Sequence, residues 1–406
     1  MTSCKLCNNK TSEILDLGFS PPSNLLLDKY QLNQEENTFP LRLQFCKKCK
    51  LCQLLDLNYD LKLFQEDYPY LSSMSETFLN HASKYVNEVT KRFNLNENDF
   101  VIEVASNDGY LLKNFKKKGI PSLGIEPTEI AAKLSKEIGI EVEKKFLTEA
   151  SSKEIYKKYG KARLVIANNV LAHVPNLIDF RNGILNLIKN DGICTIEVPH
   201  IMELIKEGTF DTIYHEHYYY FSLISLINLF KETNYEIFDV EKIKTHGGSL
   251  RIFISKKGNF RIKNSVKKLL QLETRQNMKN IESYKKIENK ALKCRESLLD
   301  FLLKAKKSKK NVYCYGAAAK GNTLFNFSKV DNYFIKGIFD KSPPKKGKFS
   351  PGSHIPILDE KKIEDFDIDF MILIPWNIKD ELYNFLKPRI PRCKFYTVVP
   401  TLKELK

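Results

Sequence analysis

At 406 residues the chain is long for one hydrophobic core and asks for two or three domains, and its 42% apolar and 28% charged composition gives ample core. The formal charge of +16 is carried mostly by lysines dispersed along the chain, which suits solvated faces and an anionic ligand better than a nucleic-acid tract. The first residues lack the apolar stretch of a leader, and no apolar run approaches the roughly 20 residues that span a bilayer. A cytoplasmic protein with no membrane partner is expected, with its nine cysteines mostly reduced.

The chain begins with two CxxC knuckles, Cys4/Cys7 and Cys46/Cys49. Four thiolates supply the tetrahedral set of a closed structural zinc site, with no position left for catalysis. Cys52 competes with Cys49 as fourth ligand on spacing alone; the run Phe45–Leu54 looks like a zinc-ribbon hairpin, and Cys52 is placed outside the set. Next, Tyr68, Tyr70 and the serines before a helix running to about Phe93 fit a cap and packed turn, or else a lid over a neighbouring ligand. The sequence leans to the cap.

Strand and helix alternate from about residue 99 to 258. Apolar strands start near Phe100, Ser122, Ile140, Ala162 and Gly192, with helices over 109–118 and 128–138 between them. Such alternation predicts a parallel, doubly wound sheet with ligands at the carboxyl ends of its strands. Those ends are marked. The first strand closes at Glu103 into small and polar residues, Ala105 and Asn107 among them. The second ends at Glu126 and Pro127, where a carboxylate accepts bonds from two ribose hydroxyls. No GxGxxG stands at the first turn, so a nucleoside fits better than a dinucleotide. Phe146 is either an adenine cover or a core residue. The fourth strand ends at Asn168 and Asn169, with His173 just beyond; the fifth leads to Tyr214, His215, Glu216, His217 and three further tyrosines. A closing antiparallel pair follows over 235–244 and 250–257, joined through His246, two glycines and Arg251. The glycines permit close approach of a ligand and Arg251 offers a fork for phosphate; a plain turn with a surface arginine is the other reading.

Residues 261–309 are rich in Lys and Glu with spaced leucines, as in one long helix or a helical pair. A second α/β unit begins at Asn311: a strand breaks into small residues before a helix carrying Lys320 and Asn322. This turn is either a phosphate cradle or tight helix–strand packing, and it lacks the GK[ST] ending of a Walker loop. The next strand ends at Asp340 beside Lys341.

Taken together, the paired knuckles, EVASNDGYLL, GIEP, NNVLAHVPN, EVPH, YHEHYYYFS, HGGSLR, YGAAAKGNTLFNF and FDKSPPKKGKFSPGSHIPI make the chain resemble, nearly end to end, the S-adenosylmethionine-dependent C-methyltransferases of nucleotide-linked 4-keto-deoxysugars. The family ribbon usually has an apolar residue where this chain has Cys52. The resemblance implies a zinc-binding module (1–66), a central class I Rossmann-like methyltransferase domain (67–260), and a C-terminal Rossmann-like α/β domain (261–406) for the nucleotide sugar. It also implies that Tyr214, Glu216, His217 and His173 sit at the active site. His217 is expected as general base, with Glu216 orienting an imidazole or contacting the sugar, and Tyr214 and His173 donating to a developing oxyanion. Glu103, Ala105, Asn107, Glu126, Pro127, Phe146 and Asn168 are expected to hold the cofactor. Asn169, His246, Arg251, Lys320, Asn322, Asp340 and Lys341 are expected at the substrate, a dTDP- or other NDP-4-keto-deoxyhexose methylated on carbon 3. A monomer that binds no nucleic acid is expected. The competing readings are a sugar O-methyltransferase, a zinc-ribbon RNA-binding or RNA-modifying protein, and a nucleotide-sugar scaffold without activity.

Overall fold

A computed structural model describes residues 2–55 and 71–406. The aromatic turn at Tyr68 and Tyr70, and the expected boundary at 66/67, lie outside the described residues.

Three sheets organise the chain. β1 (Thr11–Ser20), β2 (Phe39–Cys46) and β3 (Cys52–Leu54) form an antiparallel sheet beside the cysteine knuckles. The second sheet holds β4 (Val101–Val104), β5 (Ser122–Ile125), β6 (Glu141–Glu143), β7 (Ala162–Asn168) and β8 (Ile188–Pro199), parallel in the order β8-β7-β4-β5-β6. β9 (Tyr219–Tyr220) leaves this region to pair antiparallel with β3. β10 (Tyr235–Ile243) and β11 (Ser249–Lys256) are the expected closing pair, with β11 antiparallel to β8.

The third sheet contains β12 (Val312–Tyr315), β13 (Ile338–Asp340), β14 (Ile357–Asp359), β15 (Phe370–Leu373), β16 (Lys394–Thr397) and β17 (Lys403–Leu405). Its order is β14-β13-β12-β15-β16-β17, parallel except for the last strand. The chain is thus α/β, with a small N-terminal module and two Rossmann-like sheets. Strand order reverses between β4 and β7 and again between β12 and β15, the crevices where α/β sheets bind ligands.

The Lys/Glu-rich segment resolves into two helices, Asn264–Arg275 and Ile281–Lys307. Asn277, left-handed at φ 56°, marks the break. In the longer helix Tyr284, Ile287, Ala291, Cys294, Leu298, Leu302 and Ala305 are buried at intervals of three and four, one continuous face. That face joins Leu43 and Phe45 of the N-terminal sheet to Val312, Cys314 and Ile372 of the C-terminal sheet in one core. The Phe45 and Tyr284 rings meet at 4.4 Å. Sequence-distant ends therefore share a core, and the central sheet packs mainly around its own Ile102, Val165, Ile196 and Ile252.

Candidate functional site

A cavity of about 1990 Å³ opens where the carboxyl ends of β4, β5, β7, β12 and β13 face the loop after β8. All three modules line it: Lys5, Asn24 and Gln53 from the first, Ala105, Glu126 and Asn168 from the second, Gly316, Lys320 and Asp340 from the third.

On the central sheet the backbone turns sharply at the strand ends. Ala105, Asn107 and Asn169 adopt left-handed φ of 55°, 50° and 56°. Asparagine tolerates this region; alanine costs about 1 kcal/mol or more there, which folding must offset. The turn aims the Asn107 N–H at Glu126 Oε2 (2.9 Å), while Thr128 donates from its amide (2.9 Å) and hydroxyl (2.6 Å) to Oε1. Burial pushes the Glu126 carboxyl above its ordinary range, against the pull of these bonds. Asn168 and Asn169 carry buried Oδ1 atoms with no hydrogen-bond partner among the described residues. Two orphaned acceptors and a ribose-spaced carboxylate around an open turn fit a nucleoside with an amino-acid tail, as in S-adenosylmethionine. Pro127 and the half-exposed Phe146 line the same part of the cavity.

Glu103 corrects the expectation. It is 1% exposed and absent from the lining. Burial, then the neighbouring carboxylates of Asp108 and Glu126, push it far above the usual range, so it is a neutral group beneath the turn.

Opposite the turn lie two imidazoles, His173 and His217, with centroids 4.6 Å apart. His217 Nδ1 faces the Thr212 carbonyl at 2.8 Å, and its Nε2 lies 2.8 Å from the Tyr214 hydroxyl. A carbonyl only accepts, so neutral His217 is protonated on Nδ1, and Tyr214 O–H donates to the Nε2 lone pair. The two rings meet tilted by 32°, with centroids 4.0 Å apart. His173 Nδ1 likewise donates to the Glu216 carbonyl at 2.7 Å, and burial pushes His173 down to about 4, a neutral ring. Its Nε2 is then an acceptor, which overturns the expectation that His173 donates to an oxyanion. Glu216 turns away from the lining. Its Oε1 accepts from the Asn24 N–H at 3.2 Å, and burial pushes the carboxyl up to about 7. What orients His173 is the backbone carbonyl of Glu216, not its carboxylate.

On the third sheet Lys320, Asp340 and Lys341 line the cavity, as does Asn169 across from them. Asp340 accepts from the Ala317 and Ser342 amides, both at 2.7 Å, at the turn that opens the helix Ala319–Ser328. Lys320 donates to Asn377 at 2.7 Å and lies 4.4 Å over the Trp376 ring.

Two substrate expectations fail. Arg251 is 3% exposed inside the central domain, where its guanidinium meets Glu197 at 2.7 Å and Glu241 at 3.1 Å; it has no face toward the cavity. Asn322 donates to the Ser23 carbonyl and ties the third module to the first. In the turn at 245–248 the side chain of His246 lies outside what is described. The turn's glycines admit protein, not ligand: a Cβ on Gly247 would stand 2.6 Å from the Trp376 ring, and one on Gly248 3.0 Å from Glu203.

Residues that sequence reasoning missed include Asn24, Tyr315 with its hydroxyl on Glu360, Lys345, Asp211 and Trp376. Trp376 is the sole tryptophan of the chain. Its rarity was the available signal.

The four knuckle cysteines bring their sulfurs within 4.8 Å of one another, with Cys4–Cys49 at 3.4 Å and Cys7–Cys46 at 3.5 Å. A tetrahedron with Zn–S near 2.3 Å has edges of about 3.8 Å, so the set fits structural zinc. Cys52 is buried in β3 and outside it.

Comparison with known families divides the chain in three. Residues 4–64 match a family described as "Putative zinc binding domain", 78–240 one described as "Methyltransferase domain", and 244–400 one described as "C-methyltransferase C-terminal domain". The C-methyltransferase NovU of Streptomyces niveus is 29% identical over 381 residues, covering 93% of this chain and 90% of that protein. Among solved structures, magnesium protoporphyrin IX methyltransferase from Synechocystis with bound SAM superimposes with a TM-score of 0.35 at 12% identity, over 44% of this chain and 79% of that one. A SAM-dependent methyltransferase from Anabaena variabilis gives a TM-score of 0.34 at 14% identity, over 42% and 84%.

Proposed function

Because this chain is an S-adenosylmethionine-dependent methyltransferase with an N-terminal zinc-binding module and a C-terminal C-methyltransferase domain, we propose that its acceptor is carbon 3 of a nucleotide-linked 4-keto-6-deoxyhexose. The observation that carries this reading is the His217–Tyr214 pair, an imidazole whose Nδ1 faces the Thr212 carbonyl and whose Nε2 lies 2.8 Å from a hydroxyl, at the wall of a cavity that both Rossmann-like sheets open into.

A ketone acidifies the C–H beside it. His217 Nε2 takes that proton, and the C–H electron pair moves into the enolate, whose negative charge settles on the ketone oxygen. Tyr214 O–H, released from His217, then donates to this oxygen. The Thr212 carbonyl steadies the imidazolium that forms on His217. When bound, S-adenosylmethionine supplies an electrophilic methyl group on a sulfonium. Glu126 with Pro127 would hold its ribose, Asn107, Ala105 and Asn168 its amino-acid end, and Phe146 its base. Lys320 and Lys341 would meet the diphosphate of the sugar nucleotide, with Asn169 and Asp340 at its hydroxyls.

The experiment is to incubate 4-keto nucleotide sugars with methyl donor in deuterated water. A methyl on carbon, together with deuterium uptake beside the ketone, is expected. His217→Asn should abolish both while the fold persists; full turnover in that variant would falsify the base assignment. A methyl on oxygen without exchange would favour O-methylation.

A further inference from the structure

We infer that Trp376 and Asp211 are positioning residues: through one bond between domains they fix the Thr212 carbonyl that sets the tautomer of His217. This rests on the reading of His217 as base.

The indole N–H of Trp376, on the loop after β15, donates to Asp211 Oδ2 at 2.7 Å. Asp211 is 2% exposed, and the Trp376 bond and the Lys320 charge both act on its carboxylate. The residue after it is Thr212, whose carbonyl accepts from His217 Nδ1. Tyr214 cannot set the tautomer, because a hydroxyl donates or accepts as required. Only the carbonyl dictates which nitrogen keeps the lone pair, and it holds its direction only while its short turn does. One step further, Thr323 of the third module donates to the Ile213 carbonyl at 2.8 Å. The base loop is therefore tethered on both sides of Thr212 by the domain whose lysines face the cavity.

Trp376 is wedged, not merely adjacent. Its ring fills the space above Gly247 of the central domain, and Lys320 lies 4.4 Å over it while reaching Asn377, which also lines the cavity. The indole thus links the lysine side of the cavity to the base side without touching either reacting partner.

The test uses full-length protein labelled with 15N-histidine, with the His217 signal identified by its loss in His217→Asn. Wild type should show a ring protonated on Nδ1 alone. Trp376→Phe keeps a ring over Gly247 but loses the N–H, and it should show an average of two tautomers. Its rate of substrate-proton exchange should fall about tenfold with KM within about twofold. Asp211→Ala should do the same, and the double variant should cost little more than either single one. A folded Trp376→Phe protein with the wild-type tautomer would overturn the inference, whether or not Asp211→Ala folds. The tautomer comparison needs no substrate. It decides this point even where wild type exchanges no substrate proton, a result that would remove only the base assignment.

Discussion

Arg251 shows how a residue can be chemically apt and still serve another purpose. A guanidinium after two glycines reads as a phosphate fork, yet the side chain lies between buried Glu197 and Glu241, over the Tyr85 ring. His81 completes the set, 2.9 Å from Glu197. Burial pushes Glu197 upward, but the His81 bond and the Arg251 charge outweigh it and hold the carboxyl below its ordinary value. Arg251→Ala should leave that carboxylate buried with half its compensation and cost about 3 kcal/mol in denaturant unfolding. Nucleotide-sugar affinity measured under native conditions should not change. Glu216 predicts the opposite pH behaviour. Burial raises its carboxyl from 4.5 to about 7, so the folded state holds the proton more tightly than the unfolded one. Stability then falls as pH rises through that window and levels above it. Melting temperature should drop less from about pH 5 to about pH 8 in Glu216→Gln than in wild type; equal slopes would place the titration elsewhere.

At the scale of elements, one carboxylate ties three of them together. Glu273, on the helix Asn264–Arg275, accepts from the Leu223 and Ile224 amides at 2.7 and 3.0 Å, and from His200 Nε2 at 2.8 Å. It thereby caps the helix Leu223–Phe230 from outside and pins the end of β8 beside it. Glu273→Ala should cost about 3 kcal/mol, read as a lower unfolding midpoint, because it strands two helix amides and a buried imidazole. A loss below about 1 kcal/mol would mean that water replaces the carboxylate. This arrangement also marks what the sequence can yield. The alternation of strand and helix was legible because each apolar run reports its own burial, and the cysteine pairs because their ligand chemistry is local. The strand ends at Glu126, Asn168 and Asp340 followed from the sheet rule. Contacts such as Glu273–Leu223, Arg251–Glu197 and Trp376–Asp211 join residues 50 or more positions apart, and no periodicity announces them. The two-residue β9 was invisible for the same reason: its partner β3 lies in another module.

That pairing would make the whole molecule depend on zinc. Cys46 ends β2, Cys49 sits in the following turn, and Cys52 opens β3, so the metal would clamp the hairpin that presents β3. β3 pairs with Tyr219–Tyr220, and Leu54 N–H bonds the Tyr218 carbonyl at 2.9 Å, one residue past His217. The first module also supplies the Asn24 amide to Glu216, whose carbonyl orients His173. Both imidazoles are thus braced by a hairpin that four thiolates close, although no cysteine lines the cavity among the described residues. The Glu126 and Asn168 strand ends belong to the central sheet and do not need this brace. Stripping zinc with a strong chelator should therefore lower substrate-proton exchange and methyl transfer together by at least about tenfold, and restoring zinc should recover both. S-adenosylmethionine affinity, followed by calorimetry on the same stripped protein, should stay within about threefold. Cys46→Ser should behave like stripped protein, except that added zinc would not rescue it. Metal-free protein, verified by elemental analysis, that exchanges substrate protons at the full rate would show that the hairpin holds its shape without metal and that the brace lies elsewhere.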